Sequence, residues 1–276
     1  MSEATVLIES LRRTLRTKKM LGHGDAEFFA SGRPPCVVAF HGFGGTAAEL
    51  RPLLDRIARA GYAVDCALLP GHGTRVEQLQ DGTFHGWVDA AVQRMRAAID
   101  KSGRVVLLGF SLGSLLAMQL ASEQPGGLTG LAVLGNAMTL RSLSSVPLGL
   151  LDRLGVRIPD LYLVKPRAGD LVDTSAKDAL LSYDRHPLRS SLEVYRAGPR
   201  VRGVVGRIVC PTLILHGRRD RVCSWHNATW LAEHIAAKDV TIRLFEDSAH
   251  VLACDGEHEA VADEVLAFLS RLSRVC

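Results

Sequence analysis

The chain has 276 residues, of which 47% are hydrophobic and 22% charged, a composition that is ordinary for a folded protein and excludes extensive disorder. Its formal net charge is +4, and residues 1–20 carry +3 of it, so the rest of the chain is close to neutral. A nearly neutral body argues against nucleic-acid binding.

Residues 1–20 contain five basic and two acidic residues and show no pattern of a secretory signal. Leu7, Leu11 and Leu15 would lie on one face of a helix, beside basic residues. One interpretation is a basic amphipathic helix that touches a membrane surface. The other, more typical of chain termini, is a helix docked on the body or a loose tail. No run of apolar residues reaches the roughly 18–20 that stable insertion into a membrane requires.

Six cysteines are spread along the chain: Cys36, Cys66, Cys210, Cys223, Cys254 and Cys276. They form no C-x-x-C pair of the kind that binds zinc. We therefore expect free thiols in the reducing cytoplasm and no bound metal.

Strand and helix patterns alternate along the chain, which predicts an α/β fold with a mostly parallel central sheet and helices on both faces. The predicted strands are 36–40, 62–69, 104–108, 128–134, 212–215 and 240–245. The predicted helices begin at Thr46, with Glu49 completing a capping-box pattern, and continue at 87–99, 115–120, 227–236 and 261–272.

The alternation stops between about residues 137 and 205, where no clear strand is predicted and short helical patches occur at 148–154, 176–181 and 189–195. A stretch of this length is too long for an ordinary loop. We therefore predict a single domain over 1–276 with a helical cap inserted at about 137–205. Leu148, Leu150 and Leu151 are candidates to line a pocket beneath that cap.

Ser111 lies in the sequence Gly-Phe-Ser-Leu-Gly, after a strand pattern and before a helix pattern. A sharp strand-to-helix turn exposes a serine hydroxyl as a nucleophile, and Gly109 and Gly113 would let the strand and helix approach closely. The pentapeptide by itself also fits an ordinary glycine-rich turn. Its context makes Ser111 the candidate nucleophile.

Asp220 and His250 follow two later strands, and side chains after parallel strands collect at the same edge of the sheet. His250 would accept the Ser111 proton and return it to the leaving alcohol, and Asp220 would orient the imidazole. Asp220 also lies among three arginines and could serve only as an ion-pair partner. Asp247 is the rival acid, although three residues from His250 it is poorly placed to reach the far ring nitrogen.

A tetrahedral intermediate needs backbone donors for its oxyanion. The amide of Leu112 directly follows the nucleophile at a helix N-terminus, where the dipole favours negative charge. Phe43, in the glycine-rich sequence 41–45, is predicted to supply the second amide, and its ring could also fill an acyl pocket. His41 and His72 are expected to organise loop hydrogen bonds.

Five motifs together resemble the α/β-hydrolase superfamily, and within it bacterial carboxylesterases and monoacylglycerol-lipase-like serine hydrolases. They are HGFGG at 41–45, LPGHG at 69–73, GFSLG at 109–113, LHGRRD at 215–220 and SAH at 248–250. The resemblance covers roughly residues 35–270 apart from the cap. It implies a serine carboxylester hydrolase that acts through an acyl-enzyme on short- to medium-chain esters, without a cofactor. Ser114 departs from the second glycine usual in these relatives, but a serine is small enough for the turn.

Other functions remain open from the sequence. Thioesterases, cofactor-free peroxidases and carbon–carbon bond hydrolases use the same three residue types. A non-catalytic scaffold that binds a small molecule is a different class, for which an intact nucleophile, base and acid would be unnecessary. The pattern Gly42-x-Gly44-x-x-Ala47 also resembles a dinucleotide-binding turn. The acid expected at the tip of the next strand is missing there, because Asp65 lies in mid-strand.

Overall fold

The computed structural model describes residues 26–141, 160–164 and 169–274. The strands are β1 (Phe28–Ala30), β2 (Arg33–Phe40), β3 (Tyr62–Cys66), β4 (Val105–Phe110), β5 (Leu128–Leu134), β6 (Tyr162–Val164), β7 (Arg185–Pro187), β8 (Thr212–Gly217) and β9 (Val240–Phe245). The helices are α1 (Arg51–Arg59), α2 (Val76–Leu79), α3 (Phe84–Ser102), α4 (Leu112–Ser122), α5 (Leu188–Arg202), α6 (His226–His234) and α7 (His258–Arg274).

Seven strands form one sheet in the spatial order β1-β3-β2-β4-β5-β8-β9. Every neighbouring pair in it is parallel except β1 and β3, which run antiparallel. The predicted mostly parallel sheet is therefore confirmed. Parallel pairing puts the carboxyl ends of β4, β8 and β9 at the same edge, where the candidate catalytic residues follow these strands.

Helices cover both faces of the sheet, and the alternation along β2 shows how. Val38 and Phe40 belong to a core cluster with residues of α3, α4 and α6. Val37 and Ala39 point to the opposite face, where they share a cluster with residues of α1 and α7. Because neither face meets solvent, β4 is buried at all six positions and reads as a continuous apolar run.

The predicted elements differ from the observed ones mainly at their ends. The predicted strand 62–69 ends at Cys66, because the next backbone amides turn to side chains: Leu68 N donates to Glu27 and Leu69 N donates to His41 Nε2. The helix expected from Thr46 starts as a 3₁₀ turn, Ala47–Glu49, before α1.

The segment between β5 and β8 contains strands as well as helices in its described part. β6 and β7 pair antiparallel in a separate two-stranded sheet, a 3₁₀ turn spans Thr174–Ala179, and α5 follows. The expectation of no strand here was wrong, because three-residue strands are too short to produce an alternating pattern. The predicted patch 148–154, with Leu148, Leu150 and Leu151, and the N-terminal residues 1–20 lie outside the described residues.

No helix in the described ranges combines the length and the apolar character needed to cross a membrane.

Candidate active site

Ser111 lies in a strained turn between β4 and α4. Its backbone has φ 54° and ψ −116°, in a region that residues other than glycine rarely adopt. Its amide donates to Leu134 O at 3.1 Å, which ties the turn to the end of β5. Because the turn is this sharp, the half-buried hydroxyl of Ser111 lies at the edge of the sheet rather than inside it.

Gly109 and Gly113 are required by close backbone contacts. A Cβ atom at Gly109 would lie 2.2 Å from Gly113 O, and one at Gly113 would lie 2.0 Å from Phe40 O. Both neighbours are backbone atoms, which cannot move without displacing β2 or α4. The tight approach of strand and helix around Ser111 therefore depends on glycine at both positions.

Replacing Gly113 with alanine is expected to lower the free energy of unfolding by about 3 kcal/mol or more, since a strand or a helix must shift to admit the methyl group. The measurement is chemical denaturation followed by circular dichroism. Gly126→Ala is the matched control, because a Cβ there meets nothing within 4 Å. Equal unfolding midpoints for the two variants would contradict the packing argument.

Three predicted side chains meet in one chain of hydrogen bonds. His250 Nε2 lies 3.0 Å from Ser111 Oγ, and His250 Nδ1 lies 2.8 Å from Asp220 Oδ2. Ser111 follows β4, Asp220 follows β8 and His250 follows β9. The ring of Phe110 packs beside His250, with the ring centroids 5.0 Å apart. The fold thus brings the three predicted residues into contact.

Asp220 is a buried, ionised carboxylate. Its Oδ1 accepts hydrogen bonds from Val222 N at 2.8 Å and Cys223 N at 2.7 Å. Burial alone would raise the pKa of Asp220, but the charge of His250 and the hydrogen bonds to the carboxylate outweigh burial and hold the pKa well below its usual range. The negative charge therefore persists at neutral pH.

His250 is 7% exposed and faces that negative charge. Burial lowers the pKa of His250, whereas the charge and hydrogen bond of Asp220 raise it, and the net direction is upward from 6.5. An imidazolium formed by taking a proton from Ser111 is therefore stabilised where it forms.

Asp247 does not contact His250. It is exposed and pairs with Arg219. The arginines near Asp220 in the sequence pair with other carboxylates: Arg218 with Glu246, Arg219 with Asp247 and Arg221 with Asp170. The interpretation of Asp220 as an ion-pair partner of these arginines was wrong, and it is Asp220 that lies within hydrogen-bond distance of the imidazole.

The glycine-rich loop after β2 faces the Ser111 turn across the packed backbones of Phe40 and Gly113. Gly42 N donates to Glu49 Oε2 at 3.2 Å, and Gly45 N donates to Gly42 O at 3.2 Å. The amides of Gly42 and Gly45 are therefore already hydrogen-bonded. The backbone amide of Phe43, which lies between them in the sequence, remains a predicted oxyanion donor. Leu112, the other candidate, is the first residue of α4.

His41 and His72 hold the loops beneath this site, as predicted. His41 Nδ1 contacts Gly42 O at 2.9 Å, and its Nε2 accepts from Leu69 N at 3.1 Å. Burial lowers the pKa of His41 to about 4, so its ring is neutral near pH 7. His72 Nδ1 contacts Pro70 O at 3.2 Å.

The segment before α5 lies against the glycine-rich loop. Tyr183 N donates to Gly44 O at 2.8 Å, and the His186 ring lies 4.8 Å from the Phe43 ring. A Cβ atom at Gly44, where φ is +71°, would lie 2.6 Å from His186 Nε2. The part of the chain between β5 and β8 thus contacts the loop that carries the candidate oxyanion donor.

Ser114 does more than fit into the turn. Its hydroxyl donates to Ser111 O at 2.6 Å and accepts from Ala137 N at 3.3 Å. The side chain therefore links the Ser111 turn to the backbone after β5, and the turn survives the departure from glycine.

Two buried side chains near the site were not predicted. His216 Nε2 lies 2.9 Å from Asp220 Oδ2. Asp255 accepts hydrogen bonds from Ala249 N at 2.8 Å and Asp173 N at 2.7 Å, so it joins the His250 loop to the segment after β6. The LHGRRD motif contains His216, but its sequence spacing does not reveal that its side chain faces the carboxylate.

The donor atoms of Asp220, Cys223 and His250 lie within 4.8 Å of one another. A metal would require the thiolate form of Cys223, and burial raises the pKa of that thiol well above 9.0. Asp220 and His250 are already hydrogen-bonded to each other. These residues do not fit a metal site.

Several known proteins are similar to this chain in sequence. The family model described as serine aminopeptidase, S33, matches residues 34–257. A thermostable monoacylglycerol lipase of Bacillus sp. (strain H-257) is 29% identical over 248 residues, which cover 90% of this chain and 95% of that protein. A carboxylesterase of Bacillus subtilis (strain 168) is 22% identical over 246 residues, covering 89% and 96% of the two chains.

Solved structures share the fold. A structure from work on the metagenome-derived lipolytic enzymes LipS and LipT has a TM-score of 0.82 and 25% identity, covering 92% of this chain and all of that one. Monoacylglycerol lipase of Paleococcus ferrophilus has a TM-score of 0.75 and 22% identity, covering 89% and 99%. The resemblance predicted from the five motifs is confirmed, and the chain belongs to the serine aminopeptidase S33 family, with the α/β-hydrolase fold.

Proposed function

We propose that this chain is a serine hydrolase that cleaves carboxylic esters, including monoacylglycerols of short to medium chain length, through an acyl-enzyme. The observation that carries the proposal is the hydrogen-bonded series from Asp220 through His250 to Ser111, with the serine held in a strained turn. The names of the similar proteins, monoacylglycerol lipase and carboxylesterase, support the ester as the substrate class.

In the first half of the reaction, Ser111 Oγ attacks the carbonyl carbon of the ester while His250 Nε2 takes the hydroxyl proton. Asp220 holds the imidazole with Nδ1 protonated and stabilises the cation that forms. Collapse of the tetrahedral intermediate breaks the bond to the alcohol oxygen, and His250 returns the proton to that oxygen. The alcohol leaves, and the acyl group remains bonded to Ser111.

In the second half, a water molecule takes the place of the alcohol. His250 accepts a proton from the water as its oxygen attacks the acyl carbon, then returns the proton to Ser111 Oγ as the acid leaves. In both halves the oxyanion accepts hydrogen bonds from the amides of Leu112 and Phe43. The N-terminal end of α4 adds the positive end of a helix dipole at Leu112.

The segment at about 137–205 is proposed to act as a cap that bounds the acyl pocket. Its contacts with the glycine-rich loop, through Tyr183 and His186, support this role because they bring it next to Phe43. The cytoplasm is proposed as the site of action, which five free thiols in the described residues support: Cys36, Cys66, Cys210, Cys223 and Cys254.

A substrate series tests the proposal. We expect kcat/KM to be highest for p-nitrophenyl esters and monoacylglycerols of short to medium chain length and to fall by about tenfold or more at palmitate, because a bounded pocket limits the buried chain. A matched acyl thioester is the control for bond type. A larger kcat/KM for the thioester would favour a thioesterase, and hydrolysis of no member of the series would favour a non-catalytic binding scaffold.

A further inference from the structure

His216 lies near the end of β8, four residues before Asp220, and its side chain is fully buried. Its Nε2 lies 2.9 Å from Asp220 Oδ2, the same oxygen that lies 2.8 Å from His250 Nδ1. The two carboxylate oxygens thus have different partners. Oδ1 accepts from two backbone amides, and Oδ2 contacts two imidazoles.

The charge of Asp220 determines which proton His216 carries. An ionised carboxylate can only accept hydrogen bonds, so the hydrogen in the contact between them belongs to His216 Nε2. In the neutral ring, Nδ1 then has a lone pair. Among the described residues, this buried Nδ1 has no hydrogen-bond partner. The contact with Asp220 is therefore the one hydrogen bond that the buried His216 ring makes within the described part of the chain, and Nε2–H is its donor.

We infer that His216 is a positioning residue for the Asp220–His250 pair: its Nε2–H fixes Oδ2 in line with His250 Nδ1 and limits the basicity of the carboxylate. The inference rests on the proposed function. A second donor on Oδ2 shares the negative charge that would otherwise act on His250 alone. Without it, the two amides would still hold Oδ1, but Oδ2 would be held by His250 Nδ1 alone, and the imidazole would be held in a wider range of orientations.

Other charged groups also act on His250, and they are unaffected by a change at His216. Asp170, from the segment after β6, and Glu49, from the turn after β2, both raise the pKa of His250. The thiol of Cys223 is neutral and lies beside the pair. A change in the pH profile of a His216 variant therefore reports the Oδ2 contact itself.

The test compares His216→Leu, which removes the donor, with His216→Gln, whose amide can donate from nearly the same place. For p-nitrophenyl butyrate, we expect kcat of the leucine variant to fall about tenfold while KM changes by less than about twofold. The lost donor makes Asp220 more basic, which raises the pKa of His250. The acidic limb of the kcat/KM profile should therefore move to higher pH by about half a unit to one unit.

The glutamine variant should recover most of kcat, and the acidic limb of its kcat/KM profile should lie at the wild-type pH. His234→Gln is the matched control, because His234 lies in α6 and its Nδ1 contacts Trp230 O, away from the site. Wild-type kcat and an unmoved limb in His216→Leu would overturn the inference, as would equal losses in the leucine and glutamine variants.

A measurement on the wild-type protein does not depend on whether either variant folds. In ¹⁵N–¹H correlation spectra, the His216 ring should carry a proton on Nε2 throughout the titration of His250. A proton on Nδ1 instead would overturn the inference. Failure of the proposed function is distinguishable, because the wild type itself would then neither hydrolyse the ester nor react with a fluorophosphonate.

Discussion

Ser111→Ala is expected to lower kcat for ester hydrolysis by about 10⁴-fold or more, because no other hydroxyl can form the acyl-enzyme at this position. The free energy of unfolding should change by less than about 1 kcal/mol, since the substitution removes one half-buried hydroxyl and leaves the turn and its glycines in place. The measurements are initial rates on p-nitrophenyl butyrate and a denaturation curve.

The control for Ser111→Ala is Ser224→Ala, which removes a hydroxyl that contacts His226 rather than His250. Wild-type protein treated with a fluorophosphonate should carry one label, on Ser111, as located by peptide mass spectrometry. Ester hydrolysis retained by Ser111→Ala, or a label on a different serine, would reject Ser111 as the nucleophile.

Asp220→Asn is expected to lower kcat by about 10⁴-fold, whereas Asp247→Asn should change it by less than about twofold. An asparagine at 220 removes the negative charge that stabilises the His250 cation and can orient the imidazole with the wrong nitrogen protonated. Asp247 is exposed and pairs with Arg219, an arrangement that contributes little to either stability or catalysis.

The two aspartate variants are matched, because each replaces a carboxylate by an amide within the loops that follow β8 and β9. Their folding is compared by circular dichroism and thermal melting, so that lost activity is not confused with unfolding. A larger loss of kcat in Asp247→Asn than in Asp220→Asn would assign the acid to Asp247. Similar losses in both would point to a general effect of charge in these loops.

The nucleophile turn was predictable because its requirements are local. A sharp turn between a strand and a helix needs small residues at positions 109 and 113. Both are glycines, and each lies two residues from Ser111 in the sequence. Asp220 and His250 were predictable for a different reason. Parallel strands place their carboxyl ends together. Recognising β8 and β9 in the sequence was therefore enough to predict that the two residues lie at the same edge of the sheet.

Contacts between distant segments could not be predicted. β1 joins the sheet through antiparallel pairing with β3, and β6 pairs with β7 across more than 20 residues of sequence. A three-residue strand carries too little periodicity to be recognised by itself. Asp255 likewise could not be identified. It acts by accepting hydrogen bonds from the amides of Ala249 and Asp173, and only the folded chain brings both amides to it.

By itself, the sequence determined the fold class, the Ser111 turn and the order of the candidate nucleophile, acid and base, because strand periodicity and close glycine packing act over short distances along the chain. The tertiary structure alone decided that His216 shares the Asp220 oxygen that faces His250 and that Asp255 joins the His250 loop to the segment after β6. Side-chain directions in the loops after β8 and β9 depend on how distant parts of the chain pack together. Residue type and spacing along the sequence do not reveal those contacts.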